Sequence, residues 1–437
     1  MKNKLIEKTN NKSLKVGIIG LGYVGLPLAV EFANSGYETI GFDVQNEKVN
    51  KVNKGENYIG DVVPEMLGTV VKNKKLKATT DFSLITDLDF IAICVPTPLD
   101  EYQQPDISYI TTTAEVIGKY IKKETMVVLE STTYPGTTEE VLKPIIENIS
   151  GLKCEEDFYL GFSPERVDPG NEKYKTKNTP KILGGIGEDA NECLALVYRS
   201  VLSADIKTVS SPAIAEMEKI LENTYRNINI GLVNEMAIIC NRMGINIWEV
   251  IDAAKTKPYG FQAFYPGPGL GGHCIPLDPF YLTWKAREYD YHTRLIETSG
   301  EINTAMPEYV VDRCSKTLNK KQKSLSGSKI LICGVAYKAD IDDYRESPAL
   351  KVIDLFEKQG SIVTVYDPHI NEYKYKKEIR KCVTEISIKE VKTYDLVVIT
   401  TNHKLFDYNM INENADVIFD TRNAMKDIKD RSKIELL

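Results

Sequence analysis

The stretch that decides the fold is KVGIIGLGYVGLPLAVEFANSGYETIGFD, residues 15–43. In it a short apolar strand runs into the turn Gly20-x-Gly22-x-x-Gly25, and a helix follows directly. Gly20 permits a tight turn, Gly22 lets a pyrophosphate approach the backbone, and Gly25 lets the helix pack closely on the strand. The N-terminus of the helix offers unpaired N–H groups to phosphates. The stretch therefore predicts a strand–turn–helix unit that binds a dinucleotide.

The second strand of this stretch, 39–42, ends at Asp43. An acid at this place accepts hydrogen bonds from the adenosine ribose hydroxyls, which favours NAD over NADP. A glycine motif alone is weak evidence, but the succession of strand, turn, helix, strand and acid is typical of a Rossmann-like domain. We predict that NAD binds here.

Composition and charge limit the class of protein. A chain of 437 residues is long enough for two or three domains. A net charge of −7 argues against general nucleic-acid binding, which needs a basic surface. We expect a cytoplasmic protein without a membrane span, because the first 14 residues lack the apolar run of a secretory signal and no stretch approaches the length of a membrane helix. Cysteines and histidines are dispersed without CxxC pairs, so neither a disulfide framework nor a metal site is predicted.

Two more apolar runs extend the predicted sheet: DFIAICVPTPLD (89–100) and TMVVLESTTYPGTT (125–138). Strands that are apolar on both faces are typical of a parallel sheet covered by helices. Thr97 and Thr132 then lie at carboxyl ends of strands, where such sheets bind ligands. The alternative is that these threonines cap the helices that follow.

The C-terminal part repeats the same order of elements. Residues 328–368 again read as strand, glycine turn, helix and strand, and they end with the acid Asp367. The full glycine motif is absent, and only Gly334 remains of it. We therefore predict an α/β protein with two doubly wound, Rossmann-like domains, the second of which does not hold a dinucleotide in the usual way.

A long helical segment separates the two domains. The pattern predicts a helix from about Ser211 to Arg242, with an apolar stripe at helical spacing. Lys219, Asn223 and Arg226 fall at i, i+4 and i+7 and share a face, which is either a site or simply a solvated polar surface. The helix is long enough to join two lobes and to pack against a second copy of itself.

The stretch GPGLGGHCIPLDP (267–279) places Cys274 in a glycine-rich loop. Structural cysteines more often lie in apolar strands or helices, so the pattern indicates an accessible sulfur. The alternative is a small residue filling a tight turn. The downstream helix start favours a thiolate at Cys274 through its dipole. Adjacent side chains seldom face one site, so His273 is a weak candidate for an activating base.

Seven motifs together resemble those of the UDP-glucose/GDP-mannose dehydrogenase family, and the resemblance runs from about residue 14 to 425. They are GLGYVGLP, VPTP, ESTTYPGTT, FSPERVDPG, AEMEKILENTYRNINIGLVNE, YPGPGLGGHCIPLDP and GVAYKADIDDYRESPAL. The resemblance implies oxidation of C6 of a UDP-sugar, above all UDP-N-acetylglucosamine, from alcohol to carboxylate with two NAD. It also implies a cysteine thiohemiacetal, then a thioester that water hydrolyses. The same chemistry on UDP-N-acetylgalactosamine, UDP-N-acetylmannosamine or UDP-glucose is the alternative.

The resemblance also assigns roles to residues by their place in the motifs. Expected in catalysis are the nucleophile Cys274, the oxyanion-stabilising pair Lys219 and Asn223, the water-activating Glu165, the water-positioning Thr132, and Asp278, which is either an acid/base or a helix cap. Expected to bind NAD are Gly20, Gly22, Tyr23, Val24, Gly25, Asp43, Lys48, Thr97, Thr132 and Arg345. Expected to bind substrate are Arg166, Val167, Lys219, Asn223, Arg226, Tyr265, Gly271, Tyr337, Lys338 and Arg422.

Three further expectations complete the sequence-based picture. The sequence predicts four parts: an N-terminal tail (1–14), an NAD-binding domain (15–209), a central helical dimerisation domain with the cysteine loop (210–322) and a UDP-sugar-binding domain (323–437). A homodimer is expected, yet the arginine by which UDP-glucose relatives reach across the dimer is missing, and only Lys255 and Lys257 stand nearby. The competing functions are a single-step hydroxyacid dehydrogenase, which needs no Cys274, and a non-enzymatic NAD-binding protein.

Overall fold

The computed structural model describes two compact units. The described residues are 1–60, 62–100, 104–168, 171, 173–272 and 274–437. The first unit comprises Met1–Glu222 and Phe280–Tyr291, and the second comprises Asn223–Pro279 and His292–Leu437.

The first unit is built on an eight-stranded sheet. Its strands are β1 (Lys15–Ile19), β2 (Glu38–Phe42), β3 (Leu76–Thr79), β4 (Phe90–Ile93), β5 (Met126–Leu129), β6 (Tyr159–Phe162), β7 (Lys181–Gly185) and β8 (Ile206–Val209). The order is β3-β2-β1-β4-β5-β6-β7-β8, and every pair is parallel except β6 with β7. Because β1 pairs with both β2 and β4, the direction of winding reverses at β1, where open α/β sheets bind ligands.

Helices cover both faces of this sheet. They are α1 (Lys2–Asn10), α2 (Gly25–Asn34), α3 (Asn46–Lys54), α4 (Pro64–Lys72), α5 (Ser108–Tyr120), α6 (Lys143–Ser150) and α7 (Glu188–Arg199). Short 3-10 helices span Phe82–Asp87 and Arg287–Tyr289, and a π-helical turn spans Thr137–Leu142. The central strands β4, β5 and β6 are buried throughout, as the apolar runs of the sequence predict.

The first residues of the chain are helical. The segment that the sequence analysis sets apart as an N-terminal tail contains α1, whose Leu5 is buried in the first unit's core. Lys2 pairs with Asp189 of α7 at 2.9 Å. Apolar side chains on one side of α1 explain why it packs instead of remaining in solvent.

A helix of 32 residues, α8 (Pro212–Met243), confirms the predicted long segment. It starts in the first unit and continues into the second, where α9 (Ile247–Ala254) follows. Eight large hydrophobic side chains of α8 are exposed: Ile214, Met217, Leu221, Tyr225, Leu232, Met236, Ile239 and Met243.

The second unit carries a five-stranded parallel sheet and a small hairpin. Its strands are β9 (Lys329–Cys333), β10 (Ile362–Tyr366), β11 (Glu372–Tyr375), β12 (Glu378–Lys381), β13 (Leu396–Ile399), β14 (Ile418–Asp420) and β15 (Ile434–Leu436). The sheet order is β10-β9-β13-β14-β15, and β11 pairs with β12 alone. The remaining helices of this unit are α11 (Arg294–Lys320), α12 (Pro348–Lys358), α13 (Ile388–Val391) and α14 (Tyr408–Asn414). Helix α10 (Asp278–Ala286) begins with the last two residues of the segment 223–279 and continues in the first unit. The predicted second doubly wound unit is confirmed.

Among the described residues, no helix combines the length and apolar character needed to cross a membrane. All eight cysteines belong to the described part of the chain, and none forms a disulfide.

Candidate active site

The glycine turn of the first unit has the geometry that a dinucleotide requires. Gly20 has φ +93°, and a Cβ there would lie 2.5 Å from the Cys94 carbonyl oxygen. A Cβ on Gly25 would lie 1.8 Å from the Gly20 oxygen, so α2 packs against the turn too closely for any side chain. At Gly22 a Cβ would meet no atom within 4 Å, so open space lies beside this backbone. The turn therefore fits the pyrophosphate of NAD.

Asp43 lies at the end of β2 beside this turn. Its Oδ2 accepts a hydrogen bond from the Leu21 N–H at 3.0 Å, and its Oδ1 accepts one from the Gln45 N–H at 2.9 Å. Lys48 Nζ is 3.5 Å from Oδ2. The carboxylate is thus held in place by backbone donors, as a ribose-binding acid must be. Tyr23, another predicted NAD contact, is exposed.

Thr97 and Thr132 both follow central strands of the first unit. Thr97 is buried, and its carbonyl accepts a hydrogen bond from the Tyr281 hydroxyl. Helix α5 begins only at Ser108, and the turn after Thr132 begins at Thr137 with Gly136 as its N-cap. The alternative interpretation of the two threonines as helix caps is therefore wrong.

The predicted water-activating Glu165 lies in the loop after β6. Its Oε1 accepts hydrogen bonds from the backbone N–H groups of Arg166 at 2.8 Å and Val167 at 2.7 Å. The Arg166 side chain is paired with Glu222 of α8 and lies 3.5 Å from Glu218. Burial and the neighbouring Glu222 raise the pKa of Glu218 to about 7. Arg166, which is expected to bind substrate, thus already has two carboxylate neighbours in the same unit.

The polar face of α8 is divided by burial. Lys219 and Asn223 are buried, whereas Arg226 is exposed. A solvated polar face would expose all three, so that alternative is wrong for Lys219 and Asn223. A buried lysine and a buried amide one turn apart are suited to binding a developing oxyanion.

The Cys274 loop forms a turn that leads directly into α10. The Cys274 carbonyl accepts hydrogen bonds from the N–H groups of Leu277 at 3.1 Å and Asp278 at 2.9 Å. Asp278 is the first residue of α10, and its Oδ2 accepts a hydrogen bond from Asn223 Nδ2 at 2.6 Å. Asn227, one turn further along α8, donates to the Ile275 carbonyl at 3.0 Å. Two amides of α8 therefore hold the loop that carries the cysteine. His273 lies outside the described residues.

Two predicted substrate-binding residues pack on glycines of the same loop. A Cβ on Gly271 would lie 2.5 Å from the Tyr337 Cβ, and one on Gly267 would lie 2.5 Å from an Arg422 guanidinium nitrogen. Burial lowers the pKa of Arg422 to about 10. Because this value is still well above 7, the guanidinium remains charged at neutral pH. The glycines of this loop thus allow an aromatic ring and a cation to approach the backbone.

The remaining predicted contacts of the second unit are more exposed. Tyr265 stacks on Trp248 with ring centroids 5.9 Å apart, and its hydroxyl lies 3.5 Å from Lys255 Nζ. Lys255 also binds Asp252, whereas the ammonium of Lys257 lies 5.2 Å from the Tyr259 ring centroid. Arg345 binds Asp343 through its guanidinium, and Lys338 is half-buried.

Two histidines that are distant in sequence meet at the end of β10. The Asp340 N–H donates to His403 Nδ1 at 2.9 Å, so the proton of this imidazole is on Nε2, which lies 3.2 Å from Asp367. Together with His369, these groups are the one cluster within the described residues whose spacing suits a metal ion. Both nitrogens of His403 already have partners, so the cluster instead stabilises the buried Asp367 charge. Asp367 thus has a side-chain partner on a histidine, whereas Asp43 is held by the backbone N–H groups of Leu21 and Gln45 and lies near Lys48.

Several polar residues that support the loop were not predicted from the sequence. Asn234 accepts a hydrogen bond from the Gly267 N–H and donates to Asn303, whose own amide donates to the Asn227 carbonyl. The sequence pattern that could have predicted them is an asparagine on the otherwise apolar side of a helix, because a buried amide needs a hydrogen-bond partner.

Comparison with known proteins identifies the class that this fold and this glycine turn define. The NAD binding domain of the UDP-glucose/GDP-mannose dehydrogenase family matches residues 14–202, the central domain matches 213–305, and the UDP binding domain matches 331–427. The chain belongs to this family. It is accordingly an NAD-binding oxidoreductase of the nucleotide-sugar dehydrogenase class.

Relatives that are named for a dehydrogenase activity cover nearly the whole chain. A UDP-N-acetyl-D-glucosamine 6-dehydrogenase of Salmonella typhi is 37% identical over 90% of this chain and 91% of its own. The protein of the same name from Pseudomonas aeruginosa is 35% identical, with 96% and 97% covered. A solved structure of a UDP-D-ManNAc dehydrogenase from Pyrococcus horikoshii has a TM-score of 0.85 at 33% identity, with 94% and 96% covered.

Proposed function

We propose that this chain oxidises C6 of UDP-N-acetyl-D-glucosamine to a carboxylate with two NAD, through a covalent intermediate on Cys274. The observation that carries the proposal is the arrangement in the second unit, where Asn223 binds Asp278 at 2.6 Å and both adjoin the Cys274 turn. A hydroxyacid dehydrogenase has no use for a cysteine held in this way. The choice of UDP-N-acetyl-D-glucosamine as substrate is supported by relatives that are 35–37% identical and are named for this activity.

The proposed reaction balances as two oxidations and one hydrolysis. Loss of hydride from C6 and of a proton from its hydroxyl gives the aldehyde. The Cys274 sulfur adds to the aldehyde carbon to form a thiohemiacetal, and loss of a second hydride leaves a thioester. Water then cleaves the carbon–sulfur bond and regenerates the thiol. In total one alcohol, two NAD and one water give one carboxylate, two NADH and three protons.

The buried groups of α8 supply stabilisation of negative oxygen. Lys219 contributes a charge, and Asn223 contributes an amide donor, where the alkoxide and the tetrahedral oxygen develop. Asn223 is oriented by its hydrogen bond to Asp278. We assign Asp278 the role of holding this amide and of passing the hydroxyl proton to solvent.

Glu165 is assigned as the base for the hydrolytic water, and Thr132 as a residue that positions this water. The backbone donors of Arg166 and Val167 fix one oxygen of the Glu165 carboxylate, which preserves its orientation through the reaction. When bound at the glycine turn, NAD accepts a hydride in each oxidation.

Three parts of the chain have separate roles in the proposed reaction. Residues 15–209 hold NAD, 210–322 hold the cysteine loop and form the dimer, and 323–437 bind the UDP group. In the last part, Lys338 and the charged Arg422 are the proposed partners of the phosphates. Asp367 is already hydrogen-bonded to His403, and this contact supports a ligand other than a dinucleotide in this part.

UDP-N-acetyl-D-mannosamine is the second candidate substrate. It is favoured by the TM-score of 0.85 to the dehydrogenase from Pyrococcus horikoshii and by a relative of that name at 34% identity. The two sugars differ in configuration at C2, so they present the same C6 alcohol to the same chemistry.

A panel of UDP-sugars, assayed for NADH formation at equal concentrations, tests the proposal. We expect the highest kcat/KM with UDP-N-acetyl-D-glucosamine, two NADH per sugar, and loss of turnover in Cys274→Ala. Cys382→Ala is the matched control, because Cys382 is also half-buried but lies in the loop after β12. A higher kcat/KM with the manno isomer would replace the substrate, and normal turnover of Cys274→Ala would overturn the covalent route.

A further inference from the structure

The π-helical turn that follows β5 is capped by a carboxylate from another helix. Its N-cap residue is Gly136, which has no side chain that could bind the free N–H groups at the start of the turn. Glu216 of α8 binds them instead. Its Oε2 accepts a hydrogen bond from the Gly136 N–H at 2.6 Å, and its Oε1 accepts hydrogen bonds from the Thr138 N–H at 2.9 Å and the Thr138 hydroxyl at 2.6 Å. Both Glu216 and Thr138 are fully buried.

A carboxylate is a costly group to bury for the sake of a cap. Burial raises the pKa of Glu216 to about 7, although the hydrogen bonds from Thr138 and Gly136 oppose this rise. In most helices a serine, threonine or aspartate at the N-cap itself satisfies the free N–H groups. Glu216 lies three positions before the buried Lys219, on the same face of α8. What Glu216 adds to a local cap is therefore a fixed link between the turn and the helix that carries Lys219.

The chain before Thr132 is fixed to the sheet. Glu130 directly follows β5, and its carboxylate binds the Lys181 ammonium at 2.7 Å. The Ser131 hydroxyl donates to the carbonyl of Val95, after β4, at 2.7 Å. These contacts hold the first half of the loop at the carboxyl ends of the central strands, where such sheets bind ligands.

The chain after Thr132 is fixed to the capped turn. The Thr137 hydroxyl donates to the Tyr134 carbonyl at 2.8 Å, so the Thr133 hydroxyl is the donor in its 2.8 Å contact with Thr137. Thr133 and Thr137 are buried, whereas Thr132 is half-buried. On this side the position of Thr132 therefore depends on the turn, and the position of the turn depends on Glu216.

We propose that Glu216 is a positioning residue for thioester hydrolysis: by capping the turn from α8, it fixes Thr132 and thereby the water that Glu165 activates. The proposal deepens the function proposed above and rests on it. Without the carboxylate, the buried donors of Gly136 and Thr138 lose their acceptor, and the turn must shift to satisfy them. A shift of about 1 Å in a positioning group can cost about 100-fold in rate. Hydrolysis is the step that should slow, because both oxidations precede it.

The test measures the acyl group that remains on Cys274 in Glu216→Gln. Glutamine keeps the size of the side chain but has one accepting oxygen, so it cannot bind the N–H groups of both Gly136 and Thr138. Enzyme is mixed with saturating NAD and the UDP-sugar that wild type oxidises, quenched with acid and analysed by mass spectrometry. A pH of about 8.5 keeps the wild-type carboxylate ionised. We expect a burst of about two NADH per active site, a steady rate reduced by about 10- to 100-fold, and the acyl group on the Cys274 peptide.

Two threonine variants test the same link without a change in α8. Thr138→Val removes the hydroxyl that donates to Glu216 but keeps the N–H. Its steady rate should fall by a smaller factor of about 3–10, again with the acyl group on Cys274. Thr138→Ser keeps the hydroxyl, so its steady rate should stay within about two-fold of wild type. This pair decides the outcome even if Glu216→Gln folds poorly.

Asp89→Asn is the matched control for a loss of stability. Asp89 is also a buried carboxylate that accepts a backbone hydrogen bond, from the Lys15 N–H at 3.1 Å. It lies before β4, at the end of the sheet opposite to Thr132, because β4 and β5 are parallel. The midpoint of thermal unfolding should fall in this variant, while the steady rate per folded enzyme and the amount of acyl group should equal those of wild type.

Accumulation of the acyl group in Glu216→Gln and Thr138→Val, but not in Thr138→Ser or Asp89→Asn, supports the proposal. Unchanged hydrolysis in Glu216→Gln and Thr138→Val, or a lower rate without the acyl group, overturns it. If Glu165→Gln still accumulates the acyl group in that case, the dehydrogenase function stands. If Glu165→Gln accumulates none either, or wild type forms no NADH with any UDP-sugar, the proposed function fails and this inference fails with it.

Discussion

The substitution Glu165→Gln separates the hydrolysis of the thioester from its formation. The glutamine carbonyl oxygen can still accept the hydrogen bonds that Arg166 and Val167 donate at 2.8 and 2.7 Å. The loop after β6 should therefore keep its conformation, and the midpoint of thermal unfolding should change by only a few degrees. What the amide cannot do is take a proton from water.

The magnitude follows from this single loss. A positioned general base contributes about 10²–10⁴-fold to rate, which corresponds to about 3–5 kcal/mol of activation free energy. Both oxidations precede the step that needs the base. Stopped-flow absorbance should thus record a burst of about two NADH per active site, followed by a steady rate reduced by that factor. Mass spectrometry of the stalled enzyme should find the acyl group on the Cys274 peptide.

The matched control is Glu188→Gln, the same chemical change at the exposed start of α7. It should leave both the burst and the steady rate at wild-type values. A stalled Glu165→Gln enzyme without the adduct, or one that turns over at the wild-type rate, refutes the assignment of Glu165 as the base.

Three further outcomes follow from the described contacts. Because the Asp43 carboxylate is held beside the turn and repels a 2′-phosphate, kcat/KM with NADP should be at least about 10-fold below kcat/KM with NAD. Asp43→Asn should reduce this difference between the two cofactors, and equal kcat/KM values for wild type would contradict the assignment. Leu221 and Met243 are each 65% exposed on α8, so Leu221→Glu/Met243→Glu should dissociate a dimer in sedimentation experiments; an active wild-type monomer at micromolar concentration would count against the interface. His403→Phe should lower the free energy of unfolding by about 1–3 kcal/mol, because the Asp367 charge loses a buried donor. Burial raises the pKa of Asp367, but its hydrogen bonds, above all that from His403, outweigh burial and lower this pKa. The stability that ionised Asp367 contributes is therefore present above its unfolded-state pKa and is lost as the pH falls through its folded-state pKa. The loss of unfolding free energy in His403→Phe, measured by urea titration, should thus become smaller in acid, and a loss that becomes larger there would contradict the role of His403.

Much of the fold is readable from local patterns. Gly20, Gly22 and Gly25 have the spacing of a dinucleotide turn, and the structure gives each the space or the contact that the spacing implies. The predicted helix of about Ser211 to Arg242 is α8, Pro212–Met243. These features depend on residues that are neighbours in the chain, so periodicity and glycine placement are sufficient to predict them.

The sequence also predicted candidate residues one by one, but it did not predict their environment. Lys219, Asn223 and Arg226 share spacing, yet only the first two are buried, because burial depends on which other elements cover the helix. The burial of Glu130 was only weakly indicated by the sequence, in which a charged residue directly follows an apolar strand. Nothing in the sequence indicated that Lys181 is the partner of Glu130.

By itself, the sequence determined the two Rossmann-like units, the helix that joins them, the NAD turn and the family. Tertiary structure decided which polar groups meet. Asn223 and Asp278 are 55 positions apart, and Glu130 and Lys181 are 51 apart. The physical reason is that a buried polar group requires a partner but does not specify which one. That choice is made when the order of strands in the sheet and the packing of helices bring distant parts of the chain together.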